Sequence, residues 1–368
     1  MIEPSSEARS VLSGADRAAT AALWTGPESG FTVGPQPLPV PLPGEVLVRV
    51  ELATICGSDL HTIAGDRPTP LPTVLGHEAV GVVEAVGGAP SLSDGTPLHP
   101  GERVTWSIGT SCGRCRPCSR GASQKCARVR KYGHEALADG WWLNGGLATH
   151  CHLIAGTGLV AVPESLPAAV AAPVNCATAT VVCGARRTGL GAGDSVVVTG
   201  CGMLGLTAVA YARDRGAKHV VACDVDPARR EAAVGFGATE TCTPDQLPAA
   251  AARFGADVVL ELSGSASAVQ TALEIVGLDG RVALIGSVSP GPEVSFEPNT
   301  FVRNLSSVVG CHNYRVDDLA EAVAFVTRTP HQGALAELVS EPYALAEIDA
   351  AVAAARGGAW PRVAVRTA

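Results

Sequence analysis

The chain has 368 residues, 46% of them hydrophobic and 17% charged, with a formal net charge of -8. That length accommodates two ordinary domains with substantial cores. The composition excludes wholesale disorder, and the acidic balance argues against a nucleic-acid or anionic-membrane partner. No N-terminal stretch has the order of a secretory signal, and no apolar run reaches the ~18–20 residues of a membrane span, so a soluble, cytoplasmic protein is expected.

The first 20 residues are polar and small, and are expected to fray as a flexible extension. From Gly44 the text turns strand-like, with Glu45-Val46-Leu47-Val48-Arg49-Val50-Glu51-Leu52 alternating apolar and polar residues. Gly, Pro and short Val-rich runs continue to about residue 165, as in an irregular β-rich module. A helix-like Ala/Val stretch from Ala168 to Arg187 follows, then the buried-strand run Ser195 to Thr199, a Gly-rich turn and a helix from Leu204 to Arg215. Further strands are predicted at His219–Asp224, Asp257–Glu261 and Arg281–Gly286, with a helix at Ala266–Val276. Strands alternating with helices imply a parallel sheet covered on both faces. The tail, a helix at Leu319–Thr327 and a strand at Arg362–Arg366, is expected to return to the first domain.

Gly200-Cys201-Gly202-Met203-Leu204-Gly205 fits the dinucleotide fingerprint G-x-G-x-x-G. Its context strengthens the reading, because it follows a strand, opens a helix, and Asp224 ends the next strand. Gly200 permits a tight turn, Gly202 lets the backbone approach a pyrophosphate, and Gly205 allows close helix–strand packing. The free N–H groups at Met203 and Leu204 and the helix dipole favour the phosphates. Asp224 can accept from ribose hydroxyls and repels a 2′-phosphate, which favours NAD, while Arg229 and Arg230 pull the other way.

Twelve cysteines need an explanation, and Cys112, Cys115, Cys118 and Cys126 crowd into one short loop. Four thiolates at that spacing suit a closed tetrahedral zinc site. Reduced core cysteines are the plainer alternative, but the intervening Arg114, Arg116, Pro117 and Arg120 are too polar for a core. An iron–sulfur cluster is another. The basic residues here, with Lys125, Arg128, Arg130 and Lys131, read as a solvated lobe surface ahead of an anion site.

Two further segments are Cys56-Gly57-Ser58-Asp59-Leu60-His61 and Gly76-His77-Glu78-Ala79-Val80-Gly81. With the cysteine lobe and the dinucleotide unit they resemble, in order and from about residue 21 to the C-terminus, the zinc-containing medium-chain dehydrogenase/reductase family. The resemblance implies an α/β fold: a GroES-like β-rich catalytic domain (21–178, completed by 319–368, with the structural-zinc lobe 112–126) and a Rossmann NAD-binding domain (179–318). It implies two zinc ions per chain and a homodimer or homotetramer. Cys56 and His77 become ligands of a catalytic zinc, with Cys176 as the third ligand, Glu78 as a near or intermittent one and Asp59 behind His77. Thr180 is placed against the nicotinamide, Ser58 on the substrate oxygen, His61 at the outer end of a proton relay, and Trp106 and Ile108 at the substrate pocket.

The implied reaction is hydride transfer between a small-molecule alcohol and NAD. A polar secondary alcohol, polyol or cyclitol, is the first reading of the substrate. Val104–Ile108 and Lys131–Glu135 also resemble a subgroup linked to phosphonate metabolism, so a hydroxyphosphonate or phosphorylated alcohol is the alternative. A non-catalytic zinc and NAD-binding protein is the rival from another class. Outside these roles, His134 and Glu135 either reach the substrate mouth or decorate the lobe, with decoration the favoured reading, and His150 and His152 read as structural residues on a strand.

Overall fold

A computed structural model describes residues 18–367. Of the segment expected to fray, 1–17 lie outside the described residues, while Ala18–Thr20 already belong to β1 (Ala18–Trp24). β1 pairs antiparallel with β2 (Phe31–Pro37). β3 (Val46–Ile55) leads into α1 (Gly57–Ala64), then β4 (Thr73–Val74), β5 (Glu78–Val86) and β6 (Arg103–Trp106). The cysteine lobe carries one short turn of helix, α2 (Arg116–Ser119), before β7 (His150–Leu153) and β8 (Leu159–Ala161). The predicted alternation of β3 is overruled by its position: it pairs with both β5 and β7, and Arg49 is its one exposed residue.

The helix expected from Ala168 to Arg187 is broken. α3 (Ala168–Ala171) runs into a 3-10 turn at Ala172–Asn175, and α4 (Ala177–Thr188) begins afresh. Pro173 brings no N–H to an α-helical ladder, and Cys176 stands outside helical geometry at φ -134 and ψ -71. The break therefore falls at the expected third ligand.

The second unit repeats strand and helix: β9 (Ser195–Thr199), α5 (Met203–Asp214), β10 (His219–Cys223), α6 (Pro227–Gly235), β11 (Glu240–Cys242), α7 (Leu247–Phe254), β12 (Val258–Glu261), α8 (Ala266–Ile275), β13 (Arg281–Leu284), α9 (Pro298–Asn304) and β14 (Ser307–Gly310). Its six strands are parallel in the order β11-β10-β9-β12-β13-β14. That is the 3-2-1-4-5-6 order of doubly wound dinucleotide folds, in which ligands bind beyond the carboxyl ends of the strands where the order reverses. Val196, Val197, Val198, Val220, Val258, Val259 and Val282 are fully buried, as continuous apolar runs in a two-faced parallel sheet should be.

After α10 (Val316–Arg328) and α11 (Gln332–Glu337), β15 (Tyr343–Ala344), α12 (Ile348–Gly357) and β16 (Val363–Arg366) complete the sheet β15-β16-β3-β5-β6-β8, in which β7 also pairs with β3. The tail is thus divided. Arg315–Ala320 and everything from Leu338 belong with the first unit, but Glu321–Glu337 pack with the second, contrary to the expected single return at 319–368. Phe325 meets the Tyr211 ring edge-on at 5.0 Å, and Arg328 pairs with Asp214 at 2.6 Å, which ties that stretch to α5. Among the described residues no single helix is long and apolar enough to cross a membrane.

Candidate active site

α1 positions the first group of functional side chains. Cys56 caps the helix, its backbone N–H donating to Asp59 Oδ2 at 2.9 Å, and Asp59 Oδ1 accepts from the Gly76 N–H at 3.3 Å. One buried carboxylate thereby fixes both the Cys56 turn and the approach to His77. Asp59 Oδ1 also faces His77 Nδ1 at 3.5 Å, leaving Nε2 free for other use, with Ser58 Oγ 3.3 Å from it. Burial opposes charge on His77, but Asp59 and the Cys56 thiolate outweigh it and hold the imidazole well above its ordinary value.

Glu78 opens β5 opposite Thr54 of β3, whose hydroxyl donates to Glu78 Oε2 at 2.6 Å. Arg362 grips the same carboxylate through Nε and Nη2 at 2.7 and 2.9 Å, and its Nη2 reaches Cys56 Sγ at 3.6 Å. Burial raises the Glu78 carboxyl, against the pull of Arg362. Cys176 follows Asn175, whose side chain is locked into the sheet: its Oδ1 accepts from the Ala79 N–H at 3.3 Å and its Nδ2 donates to the Trp106 carbonyl at 3.0 Å. The ligand atoms of Cys56, His77, Glu78 and Cys176 all lie within 4.8 Å of one another. Two thiols and an imidazole fit a zinc ion with a fourth position open, and Glu78, whose carboxylate belongs to the same group, is also engaged by Arg362 and Thr54.

A second group, Cys112, Cys115, Cys118 and Cys126, also gathers its sulfur atoms within 4.8 Å. Cys115 Sγ lies 3.4 Å from Cys118 Sγ and 3.8 Å from Cys126 Sγ, close to the ~3.8 Å edge of a tetrahedron built on Zn–S bonds of ~2.3 Å. Backbone N–H groups of Cys112 and Arg128 donate to Cys126 Sγ at 3.3 Å, and that of Ala127 to Cys115 Sγ at 3.5 Å. Such donors favour thiolates, and with them the Cys115 thiol stands at about 6, while burial and its neighbours push Cys118 up to about 11. The residues fit a structural zinc.

In the second unit, Gly200 sits at φ +90 and a Cβ there would meet the Ser263 backbone N at 2.8 Å. A Cβ on Gly205 would fall 1.8 Å from the Gly200 carbonyl, so α5 can lie on this turn only with glycine. Gly202 differs, because it needs no positive φ and a Cβ there would touch nothing within 4 Å. Protein packing does not explain it, whereas a ligand approaching the backbone at the start of α5 does, and Met203 and Leu204 supply the helix's first N–H groups. A cavity of about 360 Å³ adjoins this turn, lined by Gly200, Gly202, Asp224, Val225, Arg229 and Ser265 among others. Asp224 is fixed at its edge, accepting from the Cys201 N–H at 2.6 Å and the Asp226 N–H at 2.9 Å. Arg230 donates to the carbonyls of Asp224 and Val225, and Arg229 lies 3.7 Å from Asp226.

Residues 42–164 match the alcohol dehydrogenase GroES-like domain, and residues 204–328 the zinc-binding dehydrogenase domain. A 5-exo-hydroxycamphor dehydrogenase of Pseudomonas putida is 30% identical over 87% of this chain and 91% of its own length. Among solved structures, an alcohol dehydrogenase from Thermotoga maritima aligns with a TM-score of 0.89 at 26% identity, covering 95% of this chain and 99% of that one. A zinc-binding dehydrogenase from Sinorhizobium meliloti, bound to NADP, aligns with a TM-score of 0.81 at 26% identity, over 95% of this chain and 100% of its own.

The chain belongs to the zinc-dependent medium-chain dehydrogenase/reductase family. It is a zinc alcohol-type oxidoreductase that uses a nicotinamide cofactor and acts on a small-molecule alcohol or ketone. Within this medium-chain dehydrogenase the other expected site residues fall as follows. His61 lies on α1, exposed, with Nδ1 3.2 Å from Asp66. Thr180 is one turn into α4, its N–H donating to the Cys176 carbonyl. Trp106, expected at the substrate pocket, is instead 1% exposed in the core of the first unit. His134, read as decoration, packs on His77 with ring centroids 4.9 Å apart. His150 and His152 are structural, bonded to Glu84 and Glu45 at 2.8 and 2.9 Å.

The lobe is half-exposed and carries little apolar packing of its own, so metal binding and its folding should be one event. Cys115→Ser is expected to cost at least ~2 kcal/mol, lowering Tm by roughly 4–8 °C, with activity falling as the lobe melts. Unchanged Tm with metal content intact in a thermal-shift and metal assay would remove the structural assignment.

Proposed function

We propose that this dehydrogenase transfers hydride between a polar secondary alcohol and NAD, using a catalytic zinc held by Cys56, His77 and Cys176. Polyols, cyclitols and their phosphorylated or phosphonate-bearing counterparts form the substrate class. The observation that carries the reading is the convergence of the Cys56, His77, Glu78 and Cys176 ligand atoms within 4.8 Å, with the Ser58 hydroxyl beside them. When bound, zinc supplies Lewis acidity that lowers the pKa of an alcohol, and the nicotinamide supplies the hydride acceptor.

The remaining work is done by side chains. Ser58 Oγ receives the substrate's hydroxyl proton, and His61, exposed three residues along α1, passes it outward. Asp59 faces His77 Nδ1 and orients the ring, and Arg362 steadies the Glu78 carboxylate, which serves as a near or intermittent ligand. Asn175 sets the chain direction into Cys176. An NAD-reduction screen across polyols, cyclitols, sugar phosphates and hydroxyphosphonates, on zinc-replete protein, tests the reaction; failure on all of them rejects it.

The choice of NAD rests on Asp224. Its carboxylate is pinned by two backbone donors and cannot swing aside, so the 2′-phosphate of NADP meets fixed negative charge, while ribose hydroxyls can donate to its remaining lone pairs. NAD should exceed NADP by ten- to a hundredfold in kcat/KM, ~1.4–2.8 kcal/mol. Asp224→Ser should narrow the gap, and equal efficiency with both cofactors in the wild type would refute the assignment.

A further inference from the structure

Two basic side chains have no part in the machinery above. Arg67 lies on the turn just after α1, its backbone N–H donating to the His61 carbonyl at 3.3 Å, so it is tied to the helix that carries Ser58. Lys131 lies in a segment tied to the approach to His77. Two residues on, Gly133 packs so tightly on Gly76 that a Cβ would stand 2.8 Å from the Gly76 carbonyl, and His134 then meets the His77 ring. Both cations are half-buried.

Their charges are within reach of each other. Burial first, then Lys125 and Arg67, hold the Lys131 ammonium below its ordinary value. Glu135 offsets this only in part. Glu135 is committed to Arg130 through one oxygen and to the Lys131 backbone N–H through the other. Asp66, beside Arg67, pairs with His61. Among the described residues neither the Arg67 guanidinium nor the Lys131 ammonium has an ion-pair partner. Like charges brought together in half-buried positions, with the nearest acids already engaged, disfavour the folded state until an anion arrives.

We propose that Arg67 and Lys131 form an anion subsite beside the metal cluster, and that the alcohol substrate carries a phosphate or phosphonate group which this pair grips while its hydroxyl faces Ser58. The proposal rests on the dehydrogenase reading and narrows it. A planar fork of donors and a compact ammonium, arriving from two separate segments, suit a tetrahedral oxyanion approached from two sides. The neighbouring Lys125 adds to the local positive field.

The test compares 1,2-propanediol, its 1-phosphate and 2-hydroxypropylphosphonate as substrates of the zinc-loaded enzyme with NAD. Alongside it, calorimetry follows inorganic phosphate binding to enzyme saturated with NADH, so that the glycine-rich turn is already filled. At least one charged alcohol should exceed the diol by about tenfold or more in kcat/KM. Whichever is faster, phosphate ester or phosphonate, identifies the natural source of the anion. Lys131→Gln and Arg67→Gln should each lower the charged-to-neutral ratio by about tenfold and weaken phosphate binding, and Lys131→Arg should retain most of both. A diol used as well as its charged counterparts, or phosphate bound equally by the wild type and both Gln variants, overturns the subsite. If no alcohol is oxidised but phosphate binding follows Arg67 and Lys131, the subsite stands and the dehydrogenase reading is what fails.

Discussion

Cys56→Ser is expected to lower kcat by on the order of 10³-fold or more, while the protein stays folded, binds NADH and keeps about one zinc per chain. The substitution is nearly isosteric, and the backbone N–H of residue 56 can still donate to Asp59, so α1 keeps its start. What changes is the donor: a neutral hydroxyl replaces a thiolate whose sulfur lies among the other ligand atoms and near Arg362. Cys176→Ser should behave alike, because its place is set by the Asn175 hydrogen bonds rather than by the metal. These ligands come from distant parts of the chain, so the fold must exist before they converge, and losing one should leave that fold standing. Metal analysis of the wild type should give about two zinc ions per chain. Turnover near wild type in Cys56→Ser, or loss of both metals together, would show that the two cysteine groups do not divide the catalytic and structural tasks.

What could be read from the sequence was whatever is local. The glycine fingerprint, the strand before it and Asp224 after it sit within one βαβ unit, and the lobe's four cysteines within one loop. In each case spacing alone brings the groups together. The order β9, β10, β12, β13 was legible from Val-rich runs, whereas the short β11 (Glu240–Cys242) and the exposed edge strand β14 (Ser307–Gly310) carry no such run. The site's supports were hidden for the opposite reason. Arg362 meets Glu78 across 284 residues, and nothing in Trp360-Pro361-Arg362-Val363 announces a buried ion pair. Asn175 looked like one more polar residue in a helix, since its role depends on a break that the Ala/Val pattern masked. Lys131 was assigned to a solvated lobe because its neighbours are basic, and His134 to decoration of that lobe ahead of the substrate mouth. The contact of Gly133 with Gly76 turns that segment toward His77 instead, and two glycines far apart in sequence give no sign that they will touch. Trp106 failed in reverse: a family position suggested a pocket, and packing in the first unit put the ring in the core.

Ser58→Ala is expected to lower kcat by ~10²-fold or more with NADH affinity preserved. Ser58 is the second residue of α1, where its hydroxyl is not needed for capping: the cap contacts are made by Cys56 and Asp59. Its Oγ stands 3.3 Å from His77 Nε2, beside the ligand atoms yet outside the metal-ligating set, which is where a group that takes a proton from the reacting hydroxyl must be. Alanine removes the acceptor without opening a cavity of consequence, so stability should change little. The loss should fall on kcat at saturating alcohol, and Ser58→Thr, which keeps the hydroxyl, should recover a substantial part of it. His61→Gln should cost less than Ser58→Ala, because His61 is 57% exposed on its side chain and water can stand in for it. The two variants also separate in their response to solvent. An added imidazole or other small base should rescue His61→Gln, which fails at the open end of the relay, and leave Ser58→Ala unrescued, because its missing atom lies among buried ligands. Unchanged kcat in Ser58→Ala, or rescue of it by external base, would take Ser58 out of the proton path.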